Sequence, residues 1–245
     1  MHINKDIVHK LKNIAQPLST IEHLSSLEEG VTRLLELGEN SQKHLTRFMN
    51  HVVRHFTDNN IEILYYNPQI KSFQSALRKA KSGGIGGVKN QIRAFDDPYR
   101  GSLILNTMAN IYNVSNFIER HSEEYGFKIL NKINTFDHPR PSGYRDINYK
   151  ISDMRNQELV GELQIHLCTI RKFSEINHKA YEITRSLPEN KKNVRKALQT
   201  VTRYGYNMVS KMKNSFCIKS LSKLYTAKQR NLKAKHKTRK NRHND

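Results

Sequence analysis

The chain has 245 residues, 36% of them apolar, and a formal net charge of +20. That length supports one good-sized core, or a core with appendages, and no apolar run approaches the ~20 residues needed to span a bilayer. The charge is uneven: Asn190 to Asp245 holds 17 Lys and Arg against one acidic residue, so +16 of the +20 lies there and the body before it is near neutral. This asymmetry points to a polyanion such as RNA, DNA or an acidic surface, or else to a solvated basic extension; the composition of 228–242 predicts disorder in the free protein. Two cysteines, Cys168 and Cys217, do not make a disulfide framework, and the N-terminus has no continuous apolar signal segment. Together these predict a reducing, cytoplasm-like setting, with leaderless secretion left open.

Residues 1–56 have helical periodicity, with Ser19 and Thr20 as cap candidates and Val31, Leu34, Leu35, Leu37, Leu45, Phe48, Met49, Val52, Val53 and Phe56 as packing positions. Ile61–Tyr66 predicts a strand closed by Asn67-Pro68, and Lys71–Lys81 a helix ended by Ser82-Gly83-Gly84. Ser102–Leu105 predicts an apolar strand and Met108–Tyr125 a helix. Phe127–Ile133, Asp146–Ser152 and Val160–Leu167 predict three strands, the last two joined by a polar turn at 153–157. Helices follow at Arg171–Arg185 and, rich in basic residues, at Asn193–Thr226. No internal repeat is evident. Strands alternating with helices in the middle and helices at both ends predict an α+β fold: a mixed central β-sheet flanked by helices, with helical N- and C-terminal extensions.

Several motifs carry chemistry only in combination. The cluster Gly83-Gly84-Ile85-Gly86-Gly87-Val88-Lys89 fails the P-loop spacing and follows a helix rather than a strand, so it predicts a loop. Histidines and cysteines lack zinc-ligand spacing. Asp96-Asp97 alone reads as a turn or cap. In the last strand, however, Glu162, Gln164 and His166 alternate with Leu163, Ile165 and Leu167, placing a carboxylate, an amide and an imidazole on one face. A carboxylate ahead of one strand and a second on another could hold Mg²⁺ between them. Lys71, Arg78 and Lys79 on a preceding helix could hold triphosphate oxygens. Tyr144, after the turn Pro141-Ser142-Gly143, presents a ring suited to stacking a base.

Taken in order, Lys71-x-x-x-Ser75-x-x-Arg78-Lys79, Asp97, Pro139-Arg140-Pro141-Ser142-Gly143-Tyr144-Arg145 and Glu162-Leu163-Gln164-Ile165-His166 resemble the synthetase domain of RelA/SpoT-type alarmone synthetases, over roughly 57–185. The resemblance implies a nucleotidyltransferase-like synthetase domain that moves the β,γ-pyrophosphate of ATP to the 3′-hydroxyl of a guanine nucleotide, with Mg²⁺ as cofactor. It implies Asp97 and Glu162 as catalytic and metal-holding carboxylates. It places Lys71, Ser75, Arg78, Lys79 and Arg100 on ATP, and Arg140, Tyr144, Asn148, Gln164 and His166 on the acceptor. Glu175, His178 and Tyr181 match the helix after the Glu-x-Gln strand. Gln69, Arg140, Asn148 and His166 stand where many members have Arg, Lys, His and Arg. No His-Asp dipeptide of the hydrolase half occurs, which implies a synthetase-only chain.

The expected organisation is a helical N-terminal segment 1–56, a synthetase domain 57–185, a basic helical segment 186–227 and a basic tail 228–245. Asp97 or His166 is expected to take the acceptor's proton. The basic C-terminal segment keeps open a tRNA 3′-end acceptor, as in toxin-like members, and a non-catalytic RNA-binding relative. Truncation at Asn190 is expected to separate nucleotide from tRNA acceptors.

Overall fold

The computed structural model describes residues 15–17, 24–67, 70–83, 87–186, 191–211, 218, 221–223 and 226, and the side chains of these except 178–186 and 192. The apolar repeat of the first segment becomes helix α1, Leu27–Asp58. It is capped by Ser26, whose hydroxyl accepts from the Glu29 backbone N–H, while the Glu29 carboxylate accepts from the Ser25 N–H and hydroxyl. This reciprocal arrangement satisfies donors that a helix start otherwise leaves open. The cap candidates Ser19 and Thr20, and the helix expected over 1–14, lie outside the described residues.

Five strands follow: β1 Ile63–Tyr66, β2 Arg100–Leu105, β3 Phe127–Asn134, β4 Ile147–Asp153 and β5 Leu159–Leu167. The remaining helices are α2 Phe73–Gly83, α3 Val88–Arg93, α4 Met108–His121, α5 Cys168–Ser186 and α6 Lys192–Val209. The sheet order is β1-β2-β5-β4-β3, with β2 and β5 parallel and every other pair antiparallel. The predicted α+β class and mixed sheet are thus observed. The strand ends fall within about two residues of expectation. Gly83 closes α2 and Gly87 precedes α3; Gly84, Ile85 and Gly86 of the glycine cluster lie outside the described residues.

The period-two pattern of the strands divides the sheet. Leu103, Leu105, Ile147, Tyr149, Ile151, Leu163 and Ile165 face α1 and α4 and form one buried core with Val31, Leu34, Leu45, Phe48, Met49, Val52, Ile111 and Val114. Helix α1 is therefore part of that core. The opposite face carries Arg100 and Ser102 on β2, Asn148 and Lys150 on β4, and Glu162, Gln164 and His166 on β5; cross-strand register pairs Arg100 and Lys150 with Glu162, and Ser102 and Asn148 with Gln164. At the far end of this face a small cluster joins Ile104 and Cys168 to Ile218 and Leu221. Cys168 is disulfide-bonded there; Cys217 lies outside the described residues. No helix among the described residues is long and apolar enough to cross a membrane.

Candidate active site: a row of lysines and carboxylates beside a cavity

Asp96 and Asp97 lie between α3 and β2, and the chain around them is tied down on every side. Gln16, fully buried, donates through Nε2 to the carbonyls of Phe95 and Val160 and accepts from the Val160 N–H. Gly38 of α1 lies against Pro98, where a Cβ would come within 2.8 Å of the Pro98 carbonyl oxygen. The Tyr99 hydroxyl reaches the carbonyls of Ile151 and Leu159 at 3.0 Å each. Its ring covers Gly161, where an added Cβ would sit 2.4 Å from the ring. Gln42 of α1 both donates to and accepts from the Arg100 backbone. These contacts make the Asp-Asp turn a fixed platform next to Glu162, whose N–H donates to the Tyr99 carbonyl.

From that platform runs a row of alternating charges. Lys71 pairs with Asp97 Oδ2. Lys79 lies 2.8 Å from Asp97 Oδ1 and 2.6 Å from Asp96 Oδ1. Lys150 lies 2.6 Å from Asp96 Oδ2 and 3.8 Å from Glu162 Oε1. Asn148 then donates to Glu162 Oε1 at 2.7 Å. Burial disfavours the charged form of Asp96, yet Lys150 and Lys79 outweigh it and hold its pKa at about 2. Asp97 is likewise held low, burial being outweighed by Lys79 and Lys71. Lys79 is pushed up despite burial by the two aspartates, whereas burial pulls Lys71 down against the attraction of Asp97. Three lysines thus neutralise three carboxylates within the protein, the arrangement a buried charge cluster needs.

Beside Glu162 opens a cavity of about 790 Å³, within the range of ligand sites. The sheet supplies Arg100, Asn148, Glu162 and Gln164, the 139–145 loop supplies Arg140 and Tyr144, α5 supplies Arg171, and α6 supplies Arg195, Gln199, Thr202 and Tyr206. Loop and helix are latched together. Arg203 Nε donates to the Pro141 carbonyl at 2.8 Å, and Arg145 donates to Asn207 Oδ1 at 2.8 Å. Gly143 has φ +84° and lies so near α6 that a Cβ would meet Arg203 Cα at 2.9 Å. The Tyr144 ring packs edge-on against Tyr206, with the Arg140 guanidinium 5.8 Å from its centroid.

Most residues expected at the site are brought together, with differences. Lys71, Lys79, Asp97 and Glu162 share the row. Arg100, Arg140, Tyr144, Asn148 and Gln164 line the cavity. Ser75 is on the face of α2 that bears Lys79 and is hydrogen-bonded to Ser72, and Arg78 is exposed on α2. His166 is not among the lining residues: it is fully buried behind Tyr144, whose hydroxyl lies 3.2 Å from His166 Nδ1. Burial, with Arg171 nearby, pushes its pKa well below the usual histidine value, so it is neutral and out of reach of a ligand. Glu175 pairs with Arg171 at 2.8 Å; the side chains of His178 and Tyr181, like Gln69, lie outside the described residues. Sequence reasoning missed Asp96, Lys150, Asp146, Arg171 and the α6 wall. A lysine in the middle of a strand otherwise buried throughout was the available signal for Lys150. The spacing Arg195, Gln199, Thr202, Tyr206 was the signal for a polar helix face.

The residues fit Mg²⁺. Asp97 Oδ1 is buried with Lys79 Nζ 2.8 Å away, and hard carboxylate oxygens such as those of Asp97 and Glu162 are what the ion prefers. Among the described residues no group of three or more His, Cys, Asp or Glu forms a self-sufficient metal centre. One or two carboxylates completed by substrate phosphates is the usual way Mg²⁺ is held.

No protein-family model matches the sequence, and no curated protein does. Solved structures do. The small alarmone synthetase 1 of Bacillus subtilis bound to its product pppGpp superposes with a TM-score of 0.57 at 14% identity, over 81% of this chain and 97% of that one. A GTP pyrophosphokinase family protein from Streptococcus pneumoniae gives 0.57 at 15% identity, over 73% and 88%. The type VI effector Tas1, in complex with its immunity protein, gives 0.53 at 16% identity, over 75% and 98%. At such identities the likeness is one of fold: the chain has the fold of the RelA/SpoT-type small alarmone synthetases.

Proposed function

We propose that the protein is a pyrophosphokinase that transfers the β,γ-pyrophosphate of ATP to the 3′-hydroxyl of a guanine nucleotide. The observation that carries this reading is the junction of the Lys71–Glu162 row with the arginine-lined cavity: cations and carboxylates for a triphosphate abut a space for a second nucleotide. In the reaction the acceptor 3′-oxygen attacks the β-phosphorus of ATP, the bond from that phosphorus to the α,β-bridging oxygen breaks, and AMP leaves. Lys71 and Lys79 exchange their carboxylate partners for phosphate oxygens, which replaces one ion pair by another at little electrostatic cost. Asp97 and Glu162 would hold Mg²⁺, which would supply neutralisation of the phosphate charge. Tyr144 and Arg140 orient the acceptor in line. Glu162 lines the cavity and would receive the hydroxyl proton; His166, buried behind Tyr144, contacts that tyrosine's hydroxyl instead.

The test is incubation of the full chain with γ-labelled ATP, Mg²⁺ and, separately, GDP, GTP, ATP and total tRNA. Label should pass to the guanine nucleotides. Label on tRNA alone would favour the second reading, for which the +16 charge of 190–245 speaks. Truncation at Asn190 does not separate the two readings, since it removes Arg195, Gln199, Thr202 and Tyr206 from the cavity wall.

A further inference from the structure

The register of β4 and β5 sets Asn148 directly opposite Gln164, so two carboxamides stand side by side on the cavity face, Cβ atoms roughly 5 Å apart. Each has its NH₂ group committed to a carboxylate. Asn148 Nδ2 donates to Glu162 Oε1 at 2.7 Å, and Gln164 Nε2 donates to Asp146 Oδ2 at 3.3 Å. An ionised carboxylate can only accept, so this chemistry fixes both amides with their carbonyl oxygens turned away from the anchors. Asn148 Oδ1 is buried and has no hydrogen-bond partner, a costly state that a donor on a ligand would relieve.

The anchor of Gln164 has no part in the transfer step. Asp146 is fully buried. Its Oδ1 accepts from the Thr135 hydroxyl at 2.9 Å and lies 4.0 Å from Arg140 Nη2. Burial lifts its pKa to about 6, against the pull of Arg140 and Thr135 and with a push from Glu162, which still leaves it ionised at neutral pH.

We propose that Asp146 is a positioning residue for base recognition: it holds the Gln164 amide so that its carbonyl oxygen, with that of Asn148, forms a pair of acceptors for two adjacent N–H donors on the ligand. Guanine's N1–H and exocyclic amino group are such a pair. Hypoxanthine lacks the amino group, and adenine sets an acceptor nitrogen beside its one amino group. This inference rests on the nucleotide-acceptor reading above and adds the residue that enforces the choice of base.

Calorimetric titration of the full chain with GDP, IDP and ADP tests it apart from turnover. The unmodified protein should bind GDP about tenfold more tightly than IDP and at least about a hundredfold more tightly than ADP. In Asp146→Asn the new amide can donate or accept, so the Gln164 amide is free to turn over; the GDP:IDP ratio should fall to near one and the GDP:ADP ratio by about tenfold. A loss of charge beside Arg140 weakens all three nucleotides alike, so the ratios isolate the effect on the base. Gln164→Leu should collapse the ratios to the same extent, the double variant no further, and it answers the question if Asp146→Asn fails to fold. Equal affinity for the three nucleotides, binding of none, or unchanged ratios in either folded variant would overturn the proposal. The expected ratios without pyrophosphate transfer would sink the pyrophosphokinase reading alone.

Discussion

The two halves of the site are built on opposite plans. The half proposed to hold the donor, from Lys71 to Glu162, is tight, largely buried and neutralised by its own side chains. The half proposed to hold the acceptor, from Arg140 to Tyr206, is an open cavity with several arginines, walled by a loop and a helix that meet more than sixty residues apart in sequence. Under the proposed function the first takes a triphosphate only by exchanging partners, whereas the second is a preformed cavity. Substitutions in the donor half should therefore read out in chemistry and global stability, and those in the acceptor half in acceptor affinity.

The largest effect belongs to Glu162→Gln. It removes a carboxylate from both the metal set and the proton path, and transfer should fall by at least about a thousandfold. Stability should hold, because Asn148 and Lys150 keep an oxygen to pair with. A purified, folded variant that transfers pyrophosphate at the unmodified rate would show that the metal assignment is wrong.

Lys150→Met should come next, read as stability. Lys150 is 6% exposed and joins Asp96 to Glu162. Its removal takes one of two cations from Asp96 and the cation beside Glu162, worth roughly 3 kcal/mol, or a fall in Tm of about 10 °C for a chain of this size. A melting curve shifted by less than 2 °C would show the row to be held by Lys71 and Lys79 alone.

The same division decides what the sequence could disclose. Strand β5 was legible because a buried strand seldom carries a polar residue at every second place unless a site lies on that face, and Lys71, Lys79 and Asp97 fall in one ordered string. The acceptor half was harder. Tyr144 and Arg140 could be read from the Pro-rich turn, but nothing local says that α6 returns to latch onto that turn through Arg203 and Asn207. The same basic residues read equally well as a solvated helix. His166 misled for a related reason: alternation assigns a face but not a depth, and Tyr144 covers the end of the strand. Asp96 reads alone as a turn or cap, since the lysines that pair with it, Lys79 and Lys150, lie 17 and 54 positions away.

A smaller effect, in pH, separates Asp146 from the row. Its pKa of about 6 in the folded protein lies above the ordinary carboxylate value. Between pH 4 and 6 the native state therefore holds more protons than the unfolded chain, and stability is lost as pH rises through that window, by roughly 2–3 kcal/mol for a shift of about two units. Asp96, held at about 2, acts in the reverse sense and only below pH 4. The net positive charge adds its own slope, so the measurement is a difference: urea midpoints of the unmodified chain and Asp146→Asn at pH 4.5, 5.5, 6.5 and 7.5. The gap should change sharply between 4.5 and 6.5 and stay level above. A constant gap would place the burial of Asp146 in doubt.

The mildest test concerns the latch. In Gly143→Ala the added methyl faces two penalties: φ at +84°, which L side chains rarely adopt, and backbone of Arg203 at 2.9 Å that cannot swing aside. The strain is of order 1–3 kcal/mol, and the loop can relieve it only by backing off α6, which widens the cavity between Tyr144 and Tyr206. The KM for the acceptor should rise about tenfold while the KM for ATP stays put, because Lys71, Lys79 and Asp97 are held by one another and by Asp96. Arg203→Ala removes one exposed hydrogen bond from the same latch and keeps its backbone, so it should raise the acceptor KM by no more than about threefold. Equal effects of either change on both KM values would mean that loop and row form one unit, and the division between the halves would fall.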